Sequence, residues 1–191
     1  MKSDPLITYR RKPAALDAES LQTFAEVLRD RVARGREFHC RITNDAELQS
    51  LNAQFRKKDH PTDVLSFPNS IPPSSAFSST LPSPGNHHVG RPIQAADSLS
   101  SGSNRSQGRP VPHPLGDIAV SIQRARTQAR EYHHTLEAEI RILMLHGVLH
   151  LLGMDHESDS GQMKRTEIRW RRKLGLPLGL TERMDDDGAP E

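Results

Sequence analysis

Cysteine is all but missing: Cys40 is the only one in 191 residues. A single thiol cannot build an internal disulfide framework, which fits a reducing compartment. Aromatic residues make up only 4% of the chain, so stacking on aromatic rings is not expected to dominate any binding it does. No uninterrupted apolar run reaches the roughly 18 residues that a membrane-spanning helix needs. The N-terminal M-K-S-D-P-L-I-T-Y-R-R-K has no apolar core of the signal-peptide kind. These absences lead to the expectation of a cytoplasmic protein with no membrane partner.

Hydrophobic residues are also few, at 34%, and mean hydropathy is −0.67, low for a globular chain of this size. Most of that deficit sits in one stretch. Residues 70–114 hold 8 prolines, 11 serines and 4 glycines in 45 positions. A segment of that composition cannot bury enough surface to offset its ordering entropy. It reads as a flexible insertion, and its His87 and His88 have no rigid element to orient them. Residues 1–69 and 115–180 remain as a single domain, still long enough for one sizeable core. Residues 181–191, with Asp185, Asp186 and Asp187, read as a loose acidic tail.

The rest of the chain alternates recognisable elements. Leu6–Tyr9 reads as a strand. Asp17 caps a helix to about Arg34, with Leu21, Phe24, Ala25, Leu28 and Val32 at helical spacing. Phe38–Ile42 alternates like a strand, and Cys40 within it reads as a strand residue, not as a ligand or nucleophile. Asn44-Asp45 starts a helix with Leu48, Leu51 and Phe55 turned inward. A basic loop, Arg56, Lys57 and Lys58, precedes a short buried strand, Val64–Phe67, bracketed by Pro61 and Pro68. Beyond the insertion, Ile118–Val120 is a strand and Ser121 caps a helix to about Tyr132. A helix over 135–152 follows, and Ser158 or Asp159 caps a last one, with Met163, Trp170 and Leu174 facing inward. The order implies an α+β fold: a small, mostly four-stranded sheet packed with about five helices.

The helix over 135–152 is apolar on almost every side, which marks a buried helix. It nevertheless carries histidine in H-G-V-L-H-L-L-G-M-D-H, residues 146–156. His146 and His150 are four apart and so share one helical face. Gly153 lets the chain leave the helix and bring His156 back. A lone histidine on an apolar helix is usually a core residue. Three at this spacing can close three corners of a tetrahedron around zinc and leave the fourth open. The spacing matches the metzincin peptidase motif, but Gly147 stands where that motif has its general-base glutamate. The metal scaffold is kept and the peptidase base is missing.

Taken with R-K-K-D-H-P-T-D-V-L-S-F-P and L-G-D-I, the histidine motif closely resembles the YbeY family. Residues 38–69 and 115–175 carry the resemblance well. It implies a single-strand-specific, zinc-dependent endoribonuclease acting in ribosomal RNA maturation, including processing of the 16S rRNA 3′ end, and in ribosome quality control. It implies one zinc per chain on His146, His150 and His156, and an activity-linked arginine at Arg56. Arg56 and His146 are then the catalytic candidates, and Arg56, Lys57 and Lys58 the substrate-binding ones. The implied partners are a ribosomal RNA precursor and the ribosome or its proteins; DNA is not expected. The insertion at 70–114 is longer than the short loop usual in the family there.

Net charge supports an RNA partner only weakly. Three arginines and one aspartate within 70–114 account for the whole formal excess of +2. The RNA argument rests on clustering of positive residues at 56–58 and on the arginine-rich helix faces. Asp63, Asp117 and Asp155 are all open as a general base, or as carboxylates that merely orient a histidine. Two other classes stay open: a peptidase-like hydrolase, and a non-catalytic ribosome-assembly factor with a structural zinc. Nickel, cobalt or iron could occupy the same three histidines.

Overall fold

The computed structural model describes residues 5–14, 16–69, 113–156 and 158–186. The segment read as a flexible insertion lies outside them except for its last two positions, and His87 and His88 lie outside them too. Four strands form one sheet: β1 (Ile7–Tyr9), β2 (Phe38–Thr43), β3 (Val64–Pro68) and β4 (Gly116–Ser121). Six helices are described: α1 (Ala18–Val27), α2 (Asp45–Arg56), α3 (Ile122–Glu131), α4 (Leu136–Leu151), α5 (Gln162–Leu174) and α6 (Leu180–Asp186). The fold is the α+β class expected, with the histidine-bearing helix at its centre.

The strand order is β1-β2-β4-β3. β1, β2 and β4 run parallel, with Cys40 opposite Ile118, and β3 pairs antiparallel to β4 at the edge. Alternation along the strands turns Phe38, Cys40, Ile42, Ile118 and Val120 toward the main core. The buried Cys40 thiol is pushed up to about 12 by desolvation, which makes it inert. The opposite face carries a smaller cluster, Leu48, Leu65 and Ala119, under α2.

Four of the helices, α1 to α4, begin where the sequence supplies a capping side chain. Asp17, Asn44, Ser121 and Thr135 accept hydrogen bonds from the backbone N–H groups of Ser20, Glu47, Arg124 and Ala138. α1 runs on into a π-helical turn, Leu28–Val32, which the apolar spacing alone does not reveal. α4 packs against β3, β4, α1, α3 and α5, and residues 142–149 are all buried. An all-round apolar surface is what such a position requires.

Five expectations need correction. Phe55 does not face inward: it is 59% exposed and meets Phe67 edge-on at 5.1 Å, because the last turn of α2 runs past the apolar patch on that face. Val64–Phe67 is not a buried strand: it lies at the sheet edge, and only Leu65 in it is buried. Arg56 is not in a loop: it closes α2, and Lys57 follows as its left-handed C-cap. Neither Ser158 nor Asp159 is the cap of α5: Gly161 holds that position, although Asp159 Oδ2 accepts the Met163 N–H at 2.7 Å. Finally, residue 181 does not begin a loose tail. It lies in α6, where Thr181 and Arg183 are buried by contacts that the polar sequence does not advertise.

Candidate metal centre

Helix geometry brings His146 and His150 together. Their ring centroids are 4.7 Å apart, and the turn after α4 returns His156 to 5.4 Å from both. One ring nitrogen from each lies within 4.8 Å of the others, the one such group among the described residues. His146 is buried, and the other two are half-buried at the floor of a cavity of about 220 Å³. Arg56, Lys58, Asp63, Ser66 and Leu180 line the same cavity. Lys57 is exposed and is not among the lining residues.

The far side of each helical imidazole is already engaged. His146 Nδ1 lies 3.1 Å from Glu167 Oε1, and His150 Nδ1 lies 3.0 Å from the Met154 carbonyl. Both acceptors require a proton on Nδ1, which leaves the two Nε2 lone pairs facing each other at 3.1 Å. Two facing lone pairs repel unless a cation lies between them. Tetrahedral zinc with nitrogen ligands separates its donors by about 3.3 Å. The donor set therefore fits a divalent ion that takes neutral imidazole.

The protonation pattern agrees. His150 is pushed down to about 4, first by burial, then by His146 and His156, with a smaller push from Arg56, while its bond to Met154 opposes the shift. It is therefore neutral at pH 7 and ready to act as a ligand. Burial pushes the Glu167 carboxyl up, but the hydrogen bond and charge of His146 and the bonds from Thr181 outweigh it, so it lies below the usual range. The His150 shift carries a stability consequence. Between about pH 6.5 and about pH 4 the unfolded chain binds a proton at this position that the folded chain refuses. Metal-free protein should therefore lose stability progressively as pH falls through that window, and the loss should be smaller in His150→Gln. Urea midpoints at pH 7, 5.5 and 4.5 on both proteins check this; identical slopes would refute it.

The cation beside the centre is held by its own helix. Buried Asn52 donates to the His60 carbonyl at 2.8 Å, and Gln49 donates to Asp59 at 2.9 Å. These bonds tie the chain after Arg56 back onto α2.

Gly147 packs where α4 meets the sheet. A Cβ there would lie 2.9 Å from Ile118 Cγ2, and the Gly147 carbonyl accepts a hydrogen bond from Ser66 Oγ at 3.2 Å. A side chain at 147 would run into Ile118 on β4. The position that carries the peptidase base is closed by packing.

The candidate aspartates separate. Asp117 lies on the other face of the sheet, beside His39 and Arg41. Asp155 accepts from Ser158 Oγ at 2.9 Å within the turn that returns His156. Asp63 lines the cavity, but its oxygens also hold the Val64 N–H at 2.8 Å and Gln128 Nε2 at 3.0 Å. The carboxylate bonded to His146 is one that sequence reasoning missed, Glu167. Its signal was there: it sits four residues after Met163, so an acid occupies the core face of an amphipathic helix. His133 is exposed, and His134 Nε2 lies 2.5 Å from Glu139 Oε2.

Three clustered histidines, two on a buried helix and one in the turn after it, form a group that could hold a metal ion, and Arg56 and Lys58 beside them make this α+β protein suited to an anionic substrate. The Endoribonuclease YbeY family model matches residues 7–175. Proteins named Endoribonuclease YbeY resemble the chain over most of its length. The one from Solibacter usitatus is 47% identical over 178 residues, 93% of each chain. The one from Nautilia profundicola is 37% identical, covering 76% of this chain and 77% of its own. The one from Koribacter versatilis is 34% identical, covering 93% and 91%. The chain belongs to the YbeY endoribonuclease family.

Proposed function

We propose that this protein is a zinc-dependent endoribonuclease that cleaves single-stranded segments of ribosomal RNA precursors during maturation and quality control of the ribosome. The observation that carries the reading is the shared cavity: three histidine nitrogens within 4.8 Å of one another, with Arg56 and Lys58 on the same walls. His146, His150 and His156 are the ligands in this reading, with one zinc per chain. The catalytic domain is built from residues 1–69 and 115–180, and α6 extends it. Residues 70–114 are an insertion, and the compartment is the cytoplasm.

When bound, a divalent ion supplies Lewis acidity to a phosphoryl oxygen and lowers the pKa of water. The chain's own residues do the rest. The Arg56 guanidinium grips two phosphate oxygens and stabilises the negative charge that grows on the phosphodiester. Lys58 adds a second cation inside the cavity, and Lys57 can track the backbone outside it. The cations read phosphate and shape, so sequence choice falls to RNA structure or to protein partners.

The test is metal content of the purified chain together with cleavage of a ribosomal RNA fragment containing single-stranded and duplex segments. About one zinc per chain and cleavage confined to single strands, abolished by a chelator and restored by zinc, is the expected result. One zinc per chain with no cleavage would favour an assembly factor and sink the nuclease reading. Arg56→Ala should lower cleavage on the order of 10²–10³-fold, as for loss of one transition-state charge donor. Zinc content should be unchanged, because Arg56 is exposed at the end of α2 and is not one of the three clustered ligand residues. Single-turnover rates beside metal analysis check both halves.

A further inference from the structure

We propose that Glu167 and Thr181 are positioning residues that set the tautomer of His146, so that the C-terminal helix α6 is a working part of the metal centre. The inference rests on the reading of His146 as a ligand. The Glu167 side chain is fully buried, and its two oxygens have separate tasks. Oε1 accepts from His146 Nδ1 at 3.1 Å. Oε2 accepts from the Thr181 N–H at 3.0 Å and from the Thr181 hydroxyl. The approach is close enough to demand glycine nearby: a Cβ on Gly179 would lie 2.9 Å from Glu167 Cδ. Leu180, between Gly179 and Thr181, lines the histidine cavity. One short segment therefore both walls the site and holds the carboxylate behind it.

The chemistry requires a carboxylate at this position. Donors stand on both sides of Glu167: His146 Nδ1–H on one and two Thr181 donors on the other. A carboxylate has acceptors for both. An amide has one acceptor face and one donor face. The Thr181 backbone N–H cannot rotate away, so a glutamine would give its carbonyl oxygen to Thr181. Its NH2 would then face His146 Nδ1. That ring would have to accept there and move its proton to Nε2, the nitrogen that faces His150. An Nε2–H imidazole has no lone pair on the side that faces His150, and its Nδ1 lone pair points to residue 167. Glu167→Gln thus keeps shape and volume while inverting the tautomer. Thr181→Val removes the hydroxyl and keeps the backbone bond, so it loosens the carboxylate without inverting anything.

The experiment uses the intact protein with two readouts. The first is zinc affinity by competition with a chromophoric chelator. The second is the histidine side-chain ¹⁵N spectrum of the metal-free protein, which reports the tautomer of His146 with no metal present. Wild type should show His146 as the Nδ1–H form. Glu167→Gln should shift it to the Nε2–H form and weaken zinc binding by about 100-fold, at the upper end of the usual range for such outer groups. Thr181→Val should weaken it about tenfold, and Thr181→Ser should restore it. A wild-type His146 in the Nε2–H form, a Glu167→Gln spectrum like wild type, or equal loss in Thr181→Val and Thr181→Ser would each overturn the proposal. Wild type that binds no zinc yet shows the Nδ1–H form, inverted by Glu167→Gln, would overturn the metal reading and leave the positioning by Glu167 standing.

Discussion

Replacing His150 by alanine is expected to take zinc from about one per chain to almost none, and RNA cleavage to the level of metal-free wild type. His150 stands 4.7 Å from His146 and 5.4 Å from His156, ring to ring, so it completes the three-sided donor set. Its depressed pKa, about 4, means that no proton competes for it at neutral pH. Two imidazoles remain in the variant, and two ligands hold zinc far more weakly than three. The fold should survive, because the side chain is half-buried at a cavity floor and is not part of the apolar core. Its truncation also relieves the crowding of three rings in metal-free protein. Melting with and without zinc separates the two effects. Wild type should gain about 2.7 kcal/mol at zinc a hundredfold above its Kd, and the variant should gain none. A variant that keeps one zinc and full cleavage would remove His150 from the site.

Arg183→Met should destabilise the protein by about 3–5 kcal/mol, the usual cost of stripping one partner from a buried ion pair. Glu139 on α4 is fully buried, and Arg183 grips both its oxygens at 2.9 Å. The guanidinium also lies 4.1 Å over the Tyr132 ring and donates to the Leu178 carbonyl. His134 would be the partner left to Glu139 among the described residues, and a single imidazole is a poor substitute for a bidentate guanidinium. Most of the cost is therefore the stranded carboxylate, and the double variant Glu139→Leu/Arg183→Met should recover a large part of it. Urea unfolding of the single and double variants measures this. A loss below about 1 kcal/mol for Arg183→Met would mean that α6 is not docked through this pair. Zinc affinity should fall alongside, since α6 also carries Thr181 to Glu167.

The three histidines were legible because their geometry is local. A four-residue step on a helix and a glycine that ends it place all three within eleven positions, and no distant contact is needed. The strands, the helix caps and the buried character of α4 were legible for the same reason: hydrophobic period and cap chemistry act over a few residues. Phe55 was misplaced because helical spacing says which side of α2 it occupies but not how far the opposing apolar patch extends. Val64–Phe67 was misread as buried because a short apolar run looks the same in a central strand and at an edge. Gly147 was noticed as a missing base. Its positive reason, the approach of Ile118 on a strand 29 positions earlier, appears only once α4 lies on the sheet.

The amino-acid sequence by itself determined the donor set, the buried helix that carries it and the α+β class, because those follow from residue type and short-range periodicity. Only the tertiary structure decided what stands behind each histidine. Glu167 is 21 residues from His146, and Thr181 is a further 14 beyond it. Sequence alone saw an acid on a core-facing helix side and a polar C-terminal stretch. Bringing them together needs α5 and α6 to pack on α4, where low dielectric makes an unpaired carboxylate costly and a shared one stabilising. Pairings of that kind depend on which surfaces meet, and no local pattern records them.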